Sequence, residues 1–336
     1  MKLLYLSRSR YGGWATFTTH LFHGLVGKVP TSHDRFQLSE NHEVLRITNR
    51  TEKTYRDMGN YVPYRNINEE DARKLEGPVL ITALDKHHRK LAMQLLEKGA
   101  SIVIHDPTEL RNSEFRKFIS PSQVIVIRKS MLKHMPEATF IPHPYMAMGT
   151  TDPLDFKEWE NRKKNAISVS RLDFDKNSDW LFETNRQLSP EKQIYIRGAE
   201  NRMYTKTKII PNYPEYIQDS NRKKEDRAIN LCRTARFMTD FSVIQGDGGG
   251  TQYTFLEAID AGTICLIHRE WIKRKDAMVD EGPFQNCISF KDWKSLINFL
   301  NGNIQRSIVT FIRANALNLL QKHNAVDIAQ EYVRIV

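Results

Sequence analysis

Long hydrophobic runs are missing from this 336-residue sequence. No stretch approaches the roughly 18 apolar residues that a membrane-spanning helix requires. The opening MKLLYL is broken at once by SRSRYGG, so it does not serve as a signal-peptide core. A cytoplasmic protein without a membrane partner is expected. Cysteine is scarce: Cys232, Cys265 and Cys287 lie far apart with no CxxC or Cys/His spacing, which argues against a disulfide framework and a zinc site. Repeats of solenoid length and low-complexity tracts are also absent. Acidic residues are the minority charge, 40 against 50 Lys and Arg, which leaves a net charge of +10. A positive surface field attracts polyanions, of which nucleic acid is the commonest.

What is there reads as an ordinary globular composition, with 40% hydrophobic and 27% charged residues. The length is about that of two domains, each able to bury its own core. Strand-like segments alternate with helical ones: KLLYLS, then a glycine turn into YGGWATFTTHLFHGLV, then EVLRIT, GPVLITA, HHRKLAMQLLEKG, SIVIHD and SQVIVIRKSMLKHM. This βα alternation implies parallel sheets covered on both faces. Around residue 150 the pattern dissolves into Pro, Gly and charge. A second series follows with AISVSRLDFDKNSDWLFETN, KQIYIRG, TDFSVIQGDGGGTQYTFLEAIDAG, TICLIHREW and CISF. The expected architecture is therefore α/β: two Rossmann-like, doubly wound domains facing across a cleft. Domain one is 1–150, domain two is 151–320, and a C-terminal helix, 321–336, is expected to pack back on the first. In such sheets ligands bind beyond the carboxyl ends of the strands.

The candidate chemistry sits at those strand ends. Gly246, Gly248, Gly249 and Gly250 precede a helical pattern, so bare main-chain amides and a helix N-terminus can face an anion. A tight turn would use the same letters. The sequence contains neither GxxxxGK[ST] nor a GxGxxG with its distal acid, which removes most support for a P-loop NTPase or an ordinary NAD enzyme. Arg171, Asp173 and Lys176 follow a strand expected at Ala166–Ser170, and Arg and Lys together suit two phosphates. Glu257, one turn into its helix, can hydrogen-bond sugar hydroxyls, or it is an acid favoured by the helix dipole. His105 and Asp106 follow the strand Ser101–Ile104 and can handle a hydroxyl proton. Alternatively, Asp106 starts a turn before Pro107 and His105 is its satisfied neighbour. Gly12 and Gly13 supply a further turn after the first strand.

In this order, the pieces resemble the GT-B glycosyltransferases. In retaining members an Arg and a Lys after the first strand of the C-terminal domain hold the donor diphosphate, and a Glu in a later helix binds the ribose. The matching positions are Arg171, Lys176 and Glu257. MKLLYLSRSRYGGWATF, VIHDPTEL and QYTFLEAIDAGTICLI are similar to segments of the DNA α-glucosyltransferases of T-even bacteriophages. The resemblance implies transfer from a nucleotide sugar, UDP-linked, to a hydroxymethylated pyrimidine such as hydroxymethylcytosine in double-stranded DNA. The setting would be the cytoplasm of an infected bacterium. It implies donor contacts from Gly12, Gly13, Gly248, Gly249, Gly250, Thr251, Tyr253 and Thr254, with His105 and Asp106 as catalytic residues. No cofactor is implied, a divalent metal is not required by the fold but is possible, and a monomer or weak dimer is expected. The chain departs from the wider retaining family at Gly249, where a second Glu often stands; amides of Gly248 to Thr251 would take over part of that contact. A cell-envelope glycan or lipid acceptor, and a non-catalytic nucleic-acid-binding α/β protein, are the alternatives.

Overall fold

The computed structural model describes residues 1–8, 12–28, 41–49, 55–57, 62–149, 152, 154–198, 200–215, 228–242, 251–273 and 285–336. Gly246, Gly248, Gly249 and Gly250 lie outside them. The chain divides into two compact units, one built from Met1–Met148 with Lys322–Val336, the other from the described residues between Gly149 and Gln321.

The first unit is built on an eight-stranded sheet. Its strands are β1 (Lys2–Leu6), β2 (Glu43–Ile47), β3 (Tyr55–Asp57), β4 (Pro63–Ile67), β5 (Val79–Leu84), β6 (Ser101–Ile104), β7 (Val124–Val126) and β8 (Thr139–Phe140), in the order β3-β4-β2-β1-β5-β6-β7-β8. All neighbours run parallel except β3 and β4. All six residues of β5 are buried, as a strand covered on both faces demands. The helix Gly13–Val26 links β1 to β2; it opens at Gly12 with φ +96° and closes at Gly27 with φ +70°. Both are left-handed positions that favour glycine.

The last helix, Ala325–Ile335, packs on the helix Gly13–Val26. A Cβ at Gly24 would stand 2.1 Å from the Ala325 carbonyl oxygen, so only glycine permits that approach. The main chain stitches the segment in place: Tyr145 N–H donates to the His323 oxygen at 2.6 Å and Ala325 N–H to the Tyr145 oxygen at 3.1 Å. Under this seam lie buried histidines. His20 Nδ1 accepts from Met146 N–H at 2.9 Å, and His323 Nδ1 donates to the His143 oxygen at 2.7 Å. Burial holds His20 down to about 3 and His323 to about 4, and lowers His143 too.

The second unit has a five-stranded, wholly parallel sheet of β9 (Lys164–Ser168), β10 (Ile194–Ile196), β11 (Ala235–Asp240), β12 (Ile264–His268) and β13 (Ile288–Phe290), in the order β10-β9-β11-β12-β13. The doubly wound α/β class expected from the sequence is thus found in both units. Two strand positions are corrected. The strand expected at Ala166–Ser170 runs Lys164–Ser168, and the one read from Thr239 onward begins at Ala235 and ends at Asp240. The pairing of Ala235 with Lys164 sets where both strands begin, and the pairings of Ser168 with Ile196 and Asp240 with Ile267 set where they end. Three strands escape the sequence pattern for physical reasons: β3 and β8 are three and two residues long, and β4 starts on a proline and carries Arg65 and Asn66.

Candidate functional site

In the second unit the carboxyl ends of β9 and β11 meet in a hydrogen-bonded knot centred on Asp240, a residue the motifs did not single out. Its Oδ2 accepts from Ser170 Oγ at 2.6 Å and from Thr254 Oγ1 at 3.3 Å. Its Oδ1 accepts from the Ser242 N–H at 3.0 Å and from the Ser242 hydroxyl. Ser242 Oγ in turn accepts from the Lys176 ammonium at 2.9 Å. The ammonium is therefore fixed at the sheet edge by a serine whose own orientation is set by a buried carboxylate. Asn177 adds a second clasp: at φ +45° it donates from Nδ2 to the Phe241 oxygen at 3.1 Å, just before the helix Ser178–Arg186.

Arg171 stands apart from this knot. Its side chain is 56% exposed and pairs with Asp173 at 2.9 Å and Asp175 at 3.7 Å. The pair with Asp175 is exposed on both sides, and exposed pairs contribute about 0–1 kcal/mol, so an incoming phosphate can displace it. The loop itself is held firmly. Asp173 Oδ1 accepts from the Phe174 N–H and from Asn201 Nδ2, both at 2.8 Å, and Asn201 N–H donates to the Leu172 oxygen at 2.9 Å. Behind it, a Cβ on Gly198 would fall 1.5 Å from the Ser170 oxygen, so these two backbones are in contact.

The helix Tyr253–Asp260 begins after buried Thr251, and its N-cap residue Gln252 makes no side-chain capping hydrogen bond; a helix N-terminus carries a partial positive charge. Thr254 ties this helix to Asp240, and Glu257 lies three residues on, along the same side of the helix. Burial, with the charge of Asp260 added, pushes the Glu257 carboxyl up to about 7. Near neutral pH it can donate as well as accept, which suits a sugar diol. The structure thus links Lys176 and Thr254 through Asp240, with Glu257 on the Thr254 helix and Arg171 on the loop that leads to Lys176.

The first unit holds the other candidates. His105 is buried directly after β6. Its Nε2 meets the Thr82 oxygen at 2.9 Å, and its ring abuts Phe17 edge-on at 4.8 Å. Burial pushes it down to about 4, so it is neutral at pH 7. Asp106 caps the short turn Pro107–Leu110, its Oδ1 accepting from Thr108 N–H at 2.7 Å and from the Thr108 hydroxyl. The turn-starting and satisfied-neighbour features allowed for in the sequence are therefore both present. Around Gly12 and Gly13 the space is open: a Cβ at either would meet nothing within 4 Å.

A second acid in that turn passed unnoticed in the sequence. Glu109 is 8% exposed, and its Oε1 accepts from Trp14 Nε1 at 3.2 Å and from His105 N–H at 3.3 Å. Burial, followed by the charge of Asp106, raises it to about 8. The signal was its spacing, three residues beyond Asp106 in DPTEL, masked by the ordinary look of an acid in a turn. Among the described residues no group of three or more His, Cys, Asp or Glu is placed to hold a metal ion.

No family model matches the sequence, and no curated protein matches it. Solved structures do match. Anabaena HepE in complex with UDP and glucose aligns with a TM-score of 0.66 at 14% identity, covering 99% of this chain and 98% of that one. An α-glucosyltransferase in complex with UDP and a 13-mer DNA gives 0.66 at 12% identity, with 99% of both chains covered. The UDP-forming α,α-trehalose-phosphate synthase of Burkholderia vietnamiensis gives 0.59 at 13% identity, with 99% and 98% covered. All three are GT-B proteins, and the kind of enzyme that the motifs resemble is among them. Over its whole length the chain has the GT-B fold.

Proposed function

We propose that the protein is a glycosyltransferase that moves a sugar from a UDP-linked donor to a hydroxymethylated pyrimidine in DNA. The observation that carries this reading is the Lys176 ammonium bonded to Ser242, which Asp240 holds in turn, at the carboxyl edge of a parallel sheet. In this reading Lys176 and Arg171 neutralise the diphosphate as it leaves, and the amide groups at the start of the helix Tyr253–Asp260 add fixed positive dipoles. Glu257 holds the ribose hydroxyls. Stabilising charge on the leaving group supplies most of the rate.

Asp106 is the acceptor-side carboxylate, and buried His105 fixes the main chain that carries it. The anomeric carbon–oxygen bond to the diphosphate breaks and its electron pair departs with UDP. The hydroxymethyl oxygen bonds to that carbon, and its proton passes to Asp106. DNA as the acceptor draws support from the net charge of +10, which suits a phosphate backbone. The full-length likeness to a protein solved with UDP and DNA supports it as well. In a duplex, the base would have to swing out to expose its hydroxymethyl group, at about a few kcal/mol.

The test is a transfer assay. Protein is incubated with labelled UDP-sugars and either hydroxymethylated or plain DNA, and the DNA is digested to nucleosides. A labelled nucleoside from the hydroxymethylated DNA alone is expected. Donor-dependent thermal stabilisation without transfer to either DNA would move the acceptor to another class of molecule. No stabilisation by any nucleotide sugar would favour a non-catalytic binding protein.

A further inference from the structure

Glu109 joins two turns that the sequence separates by 95 positions. Trp14 lies at the start of the helix after β1, beside the glycine pair, while His105 opens the turn after β6. A single carboxyl oxygen of Glu109 receives an N–H from each. Its other oxygen, Oε2, is buried with no hydrogen-bond partner among the described residues. An ionised carboxylate left in that state is strongly disfavoured, whereas a carboxylic acid keeps its proton on the unpaired oxygen and still accepts both bonds on Oε1.

The charged and titratable groups around it point the same way. Asp106, in its own turn, opposes a second negative charge; Arg128, just beyond β7, favours one and is outweighed. His105 carries no charge at neutral pH to balance one.

We propose that Glu109 is a positioning residue that works as a neutral carboxylic acid, clamping Trp14 and the His105–Asp106 main chain so that Asp106 meets the acceptor hydroxyl with no second anion beside it. This rests on the acceptor-side role proposed for Asp106. Loss of the Glu109 proton would put two carboxylates in one turn and load the clamp with an uncompensated charge.

Two measurements test it. The first is the fluorescence of Trp14, obtained as the difference between the full-length protein and its Trp14→Phe variant across pH 6 to 10. A transition centred near pH 8 is expected, because the indole N–H bonds to the titrating group, and it should vanish in Glu109→Gln. The second is the pH profile of transfer to hydroxymethylated DNA. The wild-type rate should fall about tenfold per pH unit above the transition. Glu109→Ala should lose about tenfold or more at pH 7. Glu109→Gln, uncharged with the acceptor oxygen kept, should rescue most of that loss and remove the alkaline fall. A Trp14 signal without a transition, or one that persists in Glu109→Gln, overturns the neutral acid whether or not any transfer is seen. A fluorescence transition as expected, with Glu109→Gln retaining the wild-type pH profile, overturns the positioning role and leaves the glycosyltransferase reading intact. If no variant transfers sugar, the role for Asp106 falls and the positioning claim falls with it.

Discussion

The two units place different ionisable groups at their strand ends. At the strand ends of the first, burial drives His105 and Glu109 to their neutral forms, and His20, His143 and His323 are neutralised likewise. At the strand ends of the second, Lys176 stands against the Ser242 hydroxyl and Arg171 against Asp173. Ten of the eleven histidines belong to the first unit, His268 being the exception. Water-poor, uncharged surroundings suit the handling of one proton. Fixed cations on a sheet edge suit a diphosphate. The division of labour in the proposed reaction follows from where each unit spends its burial.

The strongest way to break this comparison is to remove the fixed cation. Lys176→Ala should reduce sugar transfer by ~10²–10³-fold, the scale of losing one preorganised charge stabiliser. The buried core does not include Lys176, so thermal unfolding should stay within a few degrees of wild type. Arg171→Ala should be milder, about tenfold, because Arg171 is exposed and must first leave Asp173 and Asp175. Steady-state rates with a saturating acceptor check both. Near-wild-type turnover in Lys176→Ala would dissolve the contrast between the units.

Among the described residues each unit has one glycine where two backbones touch, and these test whether the contrast depends on close packing. Gly198→Ala would drive a Cβ into the Ser170 carbonyl, and Gly24→Ala into that of Ala325. Each should destabilise by about 2–4 kcal/mol, since the obstacle is main chain and cannot rotate away. Gly198→Ala should also weaken donor binding, because Ser170 is a ligand of Asp240 and begins the Arg171 loop. Gly24→Ala should leave donor binding unchanged while raising amide exchange in Ala325–Ile335. Equal effects on donor binding from the two substitutions would count against separate roles.

How much of this could be read from the sequence follows from the range of the forces involved. β1, β5 and β6 announce themselves because strands buried on both faces are continuous apolar runs. Lys176 and Arg171 were visible because a strand end followed by cations is a local pattern. Asp240 was not visible. Its importance comes from Ser170, Ser242 and Thr254, which only the parallel pairing of β9 with β11 and the following helix bring together. Glu109 escaped for a related reason: Trp14 and the burial that protonates it come from a distant turn. Short-range patterning finds strand ends, and tertiary burial decides which groups at those ends keep a charge.

Acid separates the units with a smaller effect at physiological pH. The folded-state values of His20, His105 and His323, at about 3, 4 and 4, lie below the ordinary 6.5 of the unfolded chain. Above pH 6.5 both states are neutral and nothing is lost. As pH falls from 6.5 towards 4 the unfolded chain takes up protons first, so the first unit loses stability progressively. The total is on the order of 3 kcal/mol per fully buried histidine at the acid limit. Hydrogen exchange resolved by segment, run from pH 7 to 4.5, should show β1, β5 and Ala325–Ile335 opening before β9, β11 and β12. Opening of the second sheet first would contradict the assignment of neutral burial to the first.

The smallest expected effect bears on Glu257, a residue of the second unit that follows the first unit's rule. Its carboxyl is pushed up to about 7 by burial and by Asp260, so near pH 7 it is close to half protonated. Glu257→Gln freezes a neutral group of the same shape in the helix that Thr254 anchors to Asp240. If the neutral form is the one that donates to a ribose hydroxyl, wild-type donor affinity should weaken above pH 7, and Glu257→Gln should bind with no pH dependence. Calorimetric titration with UDP at pH 6, 7 and 8 should then show the wild type declining by about three- to tenfold while the variant stays level. If wild-type affinity instead strengthens with pH, the ionised form is the binding form, and Glu257 belongs with Lys176 and Arg171 on the charged side of the comparison.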